Sequence, residues 1–141
     1  MNARELMLED YVRVKGYHDP VMVTALDGYN NTVETEPCND MDNGCLSKER
    51  GVEPIRISTE FLEDLGFKDC GKAGWQRLPD CICYRHITFY FEKKTIFFGN
   101  PEISEERLAV TREIVSIHEF QQALRLNGCR ELARLDHKII K

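Results

Sequence analysis

Apolar and polar positions alternate with a period of two through much of this chain. From Leu8 to Lys15 the run L-E-D-Y-V-R-V-K sets Val12 and Val14 on one side of a strand and Arg13 and Lys15 on the other, the pattern of a half-buried strand. Residues 16–20 supply a turn, VMVTAL at 21–26 is rich in β-formers, and Asp27-Gly28 is a hairpin signal leading into a second arm over 29–35. Residues 36–51 (EPCNDMDNGCLSKERG) follow neither period and predict a long exposed loop. Val52 to Ile57 predicts another strand, and Pro54 points to a sheet edge because proline lacks the N–H that a central strand needs. Four or five short strands in residues 1–57 predict a small SH3-like β-barrel or curled sheet.

The period changes at Ser58, which can cap a short helix whose Phe61, Leu62 and Leu65 share a face and which ends at Gly66, a residue suited to a left-handed C-terminal position. A second β region follows: Gly74 to Leu78, then Cys81 to Phe91 with Ile87, Phe89 and Phe91 facing one way and His86, Thr88 and Tyr90 the other. Glu92-Lys93-Lys94 is the expected turn into TIFF, and Thr111 to Ile117 has the β-branched content of one more strand. From His118 to Asn127 the helical period returns, with Phe120, Ala123 and Leu124 on the buried face and Gly128 after the end. The expected class is α+β: a barrel subdomain at 1–57 with its loop at 36–51, then an α+β subdomain at 58–141 in which the C-terminal helix packs an antiparallel sheet.

Composition narrows the class further. With 141 residues, 42% hydrophobic and 30% charged, the chain can bury one real core or two small ones, which excludes a disordered or collagen-like polypeptide. Its opening twenty residues contain no apolar run of a secretory signal, and apolar stretches such as VMVTAL fall far short of the roughly 18 residues a membrane span needs, so a cytoplasmic location without membrane contact is expected. Cysteines 38, 45, 70, 81, 83 and 129 are then expected as thiols. The net charge of -5 lies entirely in residues 1–56, where 6 Lys+Arg meet 11 Asp+Glu.

Candidate chemistry is sparse. His118-Glu119-Phe120-Gln121-Gln122 begins like the zinc-protease motif H-E-x-x-H, but Gln122 stands at the second histidine position, and an amide is a poor zinc ligand. Cys81-x-Cys83, even joined by Cys38 and Cys45, lacks the two-residue gap of zinc knuckles, and the loop 39–50 has Met41 and Arg50 where an EF-hand has acids. No G-x-S-x-G or phosphate loop is present, and histidines 18, 86, 118 and 137 are scattered. No catalytic, cofactor or metal residue is therefore expected. The first expectation is an interaction module whose sheet edges or loop bind another protein or a second copy of the chain. The alternatives are a nucleic-acid accessory protein using Arg125, Arg130, Arg134, Lys138 and Lys141, with His86 and Tyr90 on one strand face, and a cryptic hydrolase or metal enzyme that needs His86 and His118 to converge with an acid; His86, Tyr90 and His118 are the candidate surface positions.

Three segments carry a family likeness: Glu5-Leu6-Met7-Leu8-Glu9-Asp10-Tyr11-Val12, the run from Val52 to Phe67 (VEPIRISTEFLEDLGF), and Ile117 to Gly128 (IHEFQQALRLNG). In order and spacing they resemble a family of small uncharacterised proteins of Bacteroidetes and their phages, patterned E/D-L-R-x-G-N-Y-V, I-E-P-I-P-L-T-E-E-x-L-x-x-x-G-F and V-H-E-L-Q-x-A-L-R-L-x-G. This chain departs from the pattern with Glu9 at the turn glycine and Arg56 at a proline, and the 36–51 loop has the look of an insertion. The resemblance implies a compact α+β protein of a mobile-element setting and no catalytic activity.

Overall fold

A computed structural model describes residues 3–30, 32–37, 45–48, 51–69, 72–73, 76–77, 81–85, 87–98, 109–110 and 113–140. The class is α+β, with two antiparallel sheets and a few helices. The chain divides into two compact units, residues 1–57 with 116–141, and residues 58–115. Among the described residues no helix is long and apolar enough to cross a membrane.

In the first unit, β1 (Tyr11–Val14), β2 (Val21–Asp27), β3 (Thr32–Pro37), β4 (Cys45–Lys48) and β5 (Val52–Glu53) form an antiparallel sheet in the order β4-β3-β2-β1-β5. The β2–β3 hairpin turns where Asp27-Gly28 predicts. There the Asp27 carboxylate accepts from the amides of Tyr29 (3.0 Å) and Asn30 (3.1 Å), fixing the turn locally. β2 carries a register shift between Val23 and Ala25, a bulge that bends the strand. Val12, Val21, Val23, Val33 and Val52 point into one core with Leu6, as alternation requires.

Two expectations change here. The 36–51 segment is not wholly loop: Cys45–Lys48 pairs with Thr32–Thr35. Nothing in C-L-S-K announces a strand, and it pairs because β3 presents unpaired backbone groups. Residues 38–44 and 49–50 lie outside the described residues. The sheet is also open: no ladder joins β4 to β5 among the described residues, so it is no closed barrel. β5 stops after two residues, just before Pro54, and takes the edge position that proline favours.

The second unit begins with α1 (Thr59–Asp64), capped as expected by Ser58, whose hydroxyl accepts from the Phe61 amide at 3.1 Å. Gly66 ends it at φ 107, with the Gly66 and Phe67 amides returning to the carbonyls of Glu63 and Leu62. The sheet comprises β6 (Lys68–Asp69), β9 (Cys81–Tyr84), β10 (Ile87–Tyr90), β11 (Thr95–Phe98) and β12 (Ala109–Val110), ordered β12-β11-β10-β9-β6; β7 (Lys72–Ala73) and β8 (Gln76–Arg77) form a separate hairpin. The turn at 92–94 and the TIFF strand fall where the sequence puts them. The single stretch expected over 81–91 is instead a hairpin, with Tyr84 opposite Ile87 and Arg85 at φ 54. Arginine rarely takes that conformation, so the turn has no composition signal. Consecutive Ile87, Thr88 and Phe89 are all buried, which removes the alternation expected of β10.

α2 (Ile117–Leu126) matches the expected helix, but the strand expected at 111–117 is absent among its described residues: 113–115 are irregular, Ser116 forms an isolated bridge and caps α2, and the nearest strand is Ala109–Val110. At its far end Gly128 (φ 81) and Cys129 donate back to the carbonyls of Arg125 and Leu124. α2 belongs to the first unit, not to the sheet of 58–115 that it was expected to cover. The reason is polar as well as apolar: Gln121 on its buried face bonds to the backbone of β1. The Ile117 amide donates to the Ile55 carbonyl at 2.8 Å, and Arg56 and Ser116 form a β-bridge. α3 (Arg130–Ala133) follows, and Ala133, Leu135 and Ile140 are buried, so the tail docks instead of fraying.

Candidate functional site

The densest group of polar side chains lies where the turn before β1 meets α2. Asp10 is fully buried, and its carboxylate is surrounded by donors: the Met7 amide at 2.8 Å and Gln122 Nε2 at 2.7 Å on Oδ2, and Arg125 Nη1 on Oδ1. Gln122 Nε2 also donates to the Glu5 carbonyl at 2.8 Å. The neighbouring residue of α2, fully buried Gln121, accepts from the Tyr11 amide at 2.9 Å and donates to the carbonyls of Glu9 (3.0 Å) and Ala133 (3.1 Å). The Tyr11 hydroxyl donates to the Leu135 carbonyl at 3.1 Å.

The H-E-x-x-Q stretch is thus committed to structure. Glu119 accepts from the Ser116 amide (3.1 Å) and hydroxyl (2.7 Å) while its own amide donates to Ser116 Oγ, a capping box that places a carboxylate at the positive end of the helix. His118, in the first turn, is only 7% exposed. Burial lowers its pKa, opposed by the charges of Asp10, Glu119 and Glu5. Among the described residues, His118 Nδ1 and Arg125 Nη2 are buried without a hydrogen-bond partner.

The other expected positions disperse. Arg125 is not a surface cation, because its guanidinium is bound to Asp10. Arg130, Arg134 and Lys138 are exposed, but α3 ends at Ala133, so they do not share one helix face. Lys141 and His86 lie outside the described residues. Tyr90 is half-buried on β10 in the second unit, and His118 is buried in the first, so neither is the exposed residue expected. Cys81 and Cys83 do share a strand face, opposite Tyr90 and Thr88, and Cys83 and Cys129 are free thiols. Among the described residues no three His, Cys, Asp or Glu side chains gather as a metal site would require.

Sequence reasoning missed Asp10, Tyr11 and Gln121. A signal existed for Gln121: it sits four residues after Ile117 and three before Leu124, on the apolar stripe of α2, where a polar residue must be bonded to be tolerated. Comparison with protein-family models, with curated proteins and with solved structures found no match.

Proposed function

We propose that the protein is a non-enzymatic interaction module that binds another protein, or a second copy of itself, by adding a strand at an open sheet edge. It would act as a cytoplasmic accessory protein in a phage or mobile-element setting. The observation that carries the reading is that the polar side chains best placed for chemistry, Asp10, Glu119, Gln121, Gln122 and Arg125, direct their hydrogen bonds at the fold itself. A catalytic acid or base needs a proton or lone pair free to meet a substrate. The backbone of β4 is open: it pairs with β3 on one side and with no strand on the other among the described residues, and its four residues make it longer than the other edge strands β5, β6 and β12, of two residues each. Such an edge is a template for strand addition.

The order β5-β1-β2-β3-β4, antiparallel throughout and bent at the β2 bulge, supports an SH3-like curled sheet as the finer description of the first unit. Two features support the family resemblance. Glu9 has φ 70, a conformation suited to the glycine of the family pattern. The opening segment, Ile55-Arg56 and the α2 segment also meet one another through backbone and side-chain bonds, so the likeness falls on residues that hold one structure together.

Proline scanning of β4 tests the reading, because neighbouring strand amides point to opposite edges. Of Leu46→Pro and Ser47→Pro, the one that removes the outward N–H is expected to abolish self-association in sedimentation, or capture of a partner, while circular dichroism is retained. Binding unaffected by either substitution would reject the edge. Retention on oligonucleotides that weakens steeply with salt would replace the protein partner by nucleic acid.

A further inference from the structure

We propose that His118 makes the junction between residues 3–10 and α2 an acid-sensitive latch, closed while the imidazole is neutral and loosened when it takes up a proton. This inference does not depend on the binding role proposed above.

The geometry supplies the reasons. His118 occupies the second position of α2, beside the positive end of the helix, where an added positive charge is disfavoured. Its Nδ1 is buried with no hydrogen-bond partner among the described residues. The neutral ring can leave that nitrogen as a bare acceptor, but the imidazolium carries a proton on both nitrogens, so protonation creates a buried N–H with nothing to receive it. Burial accordingly pushes the His118 pKa down.

The charged groups around it are either bound to other partners or exposed. From α2 itself, Glu119 is held by Ser116, and Arg125 by Asp10. From the turn before β1, Asp10 accepts from Met7, Gln122 and Arg125, while Glu9 is exposed. From the 3-10 turn at Ala3–Glu5, Arg4 and Glu5 are exposed, and the Glu5 backbone carbonyl is bound by Gln122. In the following segment, Arg130 and Glu131 of α3 are exposed. The acids attract an imidazolium, yet no Asp10 oxygen lies within bonding distance of Nδ1, so accepting from it means drawing the carboxylate away from Gln122 and Arg125. Those bonds help fasten residues 3–10 to the helix, together with the bonds from Gln122 to the Glu5 carbonyl and from Gln121 to the Glu9 carbonyl. A proton at His118 therefore acts on the attachment of this segment and leaves the β2–β3 hairpin alone.

The sign follows from linkage. A histidine whose pKa is depressed in the closed state binds its proton more readily in the open one, so closure is fully favoured above the ordinary histidine range and weakens as pH falls through it. A single proton changes the open-to-closed ratio by at most about tenfold per pH unit.

The test is amide hydrogen exchange on the full chain between pH 7.5 and 5, corrected for the intrinsic pH dependence of exchange, together with an NMR titration of the His118 ring. The amides of Met7 and Tyr11 should lose protection as pH falls while those of Val23 and Val33 keep it, and His118→Gln should flatten the response. The ring should titrate below 6.5. A midpoint at or above that value, unchanged protection at Met7 and Tyr11, simultaneous loss across the whole unit, or the same response in His118→Gln would each overturn the latch. If His118→Gln does not fold, the ring titration and the exchange pattern of the unaltered chain decide.

Discussion

Replacing Gln121 by leucine should be among the most damaging single changes in the first unit. The side chain is fully buried and makes three hydrogen bonds, to the Tyr11 amide and the carbonyls of Glu9 and Ala133. Leucine is close in volume, so the cost comes from stranded backbone groups and not from a cavity. A buried donor or acceptor left unpaired costs about 1–3 kcal/mol. The substitution removes the carboxamide oxygen from the Tyr11 N–H and the carboxamide N–H from the Ala133 carbonyl, both in buried surroundings. The Glu9 carbonyl is only partly buried and can turn to water. Offsetting about 1 kcal/mol for no longer burying an amide, the net loss from the two groups is about 1–5 kcal/mol. That is a large part of the stability of a small domain, about 5–15 kcal/mol. Urea unfolding followed through amide signals of the first unit measures it. Gln121→Glu serves as the control: it keeps an acceptor for Tyr11 but turns an oxygen toward two carbonyls. Its buried carboxyl should have a raised pKa, so that variant should gain stability as pH falls and lose it as pH rises through the folded midpoint. A Gln121→Leu protein within 1 kcal/mol of the parent at an unchanged denaturant slope would refute the idea that this amide fastens α2 to β1.

Four further outcomes are expected. Glu9→Gly should stabilise the first unit by about 0.5–1 kcal/mol in the same unfolding experiment, because relief of a left-handed conformation (about 1–2 kcal/mol) exceeds the added freedom of the unfolded chain. Gly66→Ala should destabilise the second unit by about 1–3 kcal/mol, since φ is 107 and the new Cβ would lie 3.2 Å from the Tyr84 ring, which is itself set against Phe67. Arg125→Met should cost about 3–5 kcal/mol by stranding the Asp10 carboxylate, and adding Asp10→Asn should recover part of that loss in a double-mutant cycle. The Asp27 carboxyl should titrate below 3.8 by NMR, held down first by the Asn30 amide; its support of the hairpin turn is present above that value and lost as pH falls through the folded midpoint.

What was legible in the sequence was local chemistry. Ser58 with Gly66 and the hairpin turn at Asp27 are written in a few adjacent residues, and the structure uses them as such. The α2 helix is legible in the same way, from its period and from the Gly128 that follows it. What was not legible depends on partners distant in sequence. The hairpin at Arg85 carries no turn signal, because the pairing of Tyr84 with Ile87 imposes the conformation. β4 becomes a strand by lying beside β3. The apolar stripe of α2 fits either sheet equally well on hydrophobicity. Its choice is recorded in polar residues: Gln121, whose bonds span 110 positions to Tyr11 and 112 to Glu9, with Gln122 and Arg125 on Asp10. The Asp10 cluster escaped notice for a related reason: an acid between Glu9 and Tyr11 looks solvated until Arg125 is known to lie over it.

The bridge between Arg56 and Ser116 has a consequence for biosynthesis. It joins the places where the polypeptide leaves the first unit and comes back, so the second unit is a guest spliced into a host that owns both flanks. On a ribosome the guest emerges whole before the host has received α2, the element that clamps its opening turn. Until then Asp10 waits without its arginine and β1 without its glutamine, which leaves the nascent host sheet dependent on whatever shields it during translation.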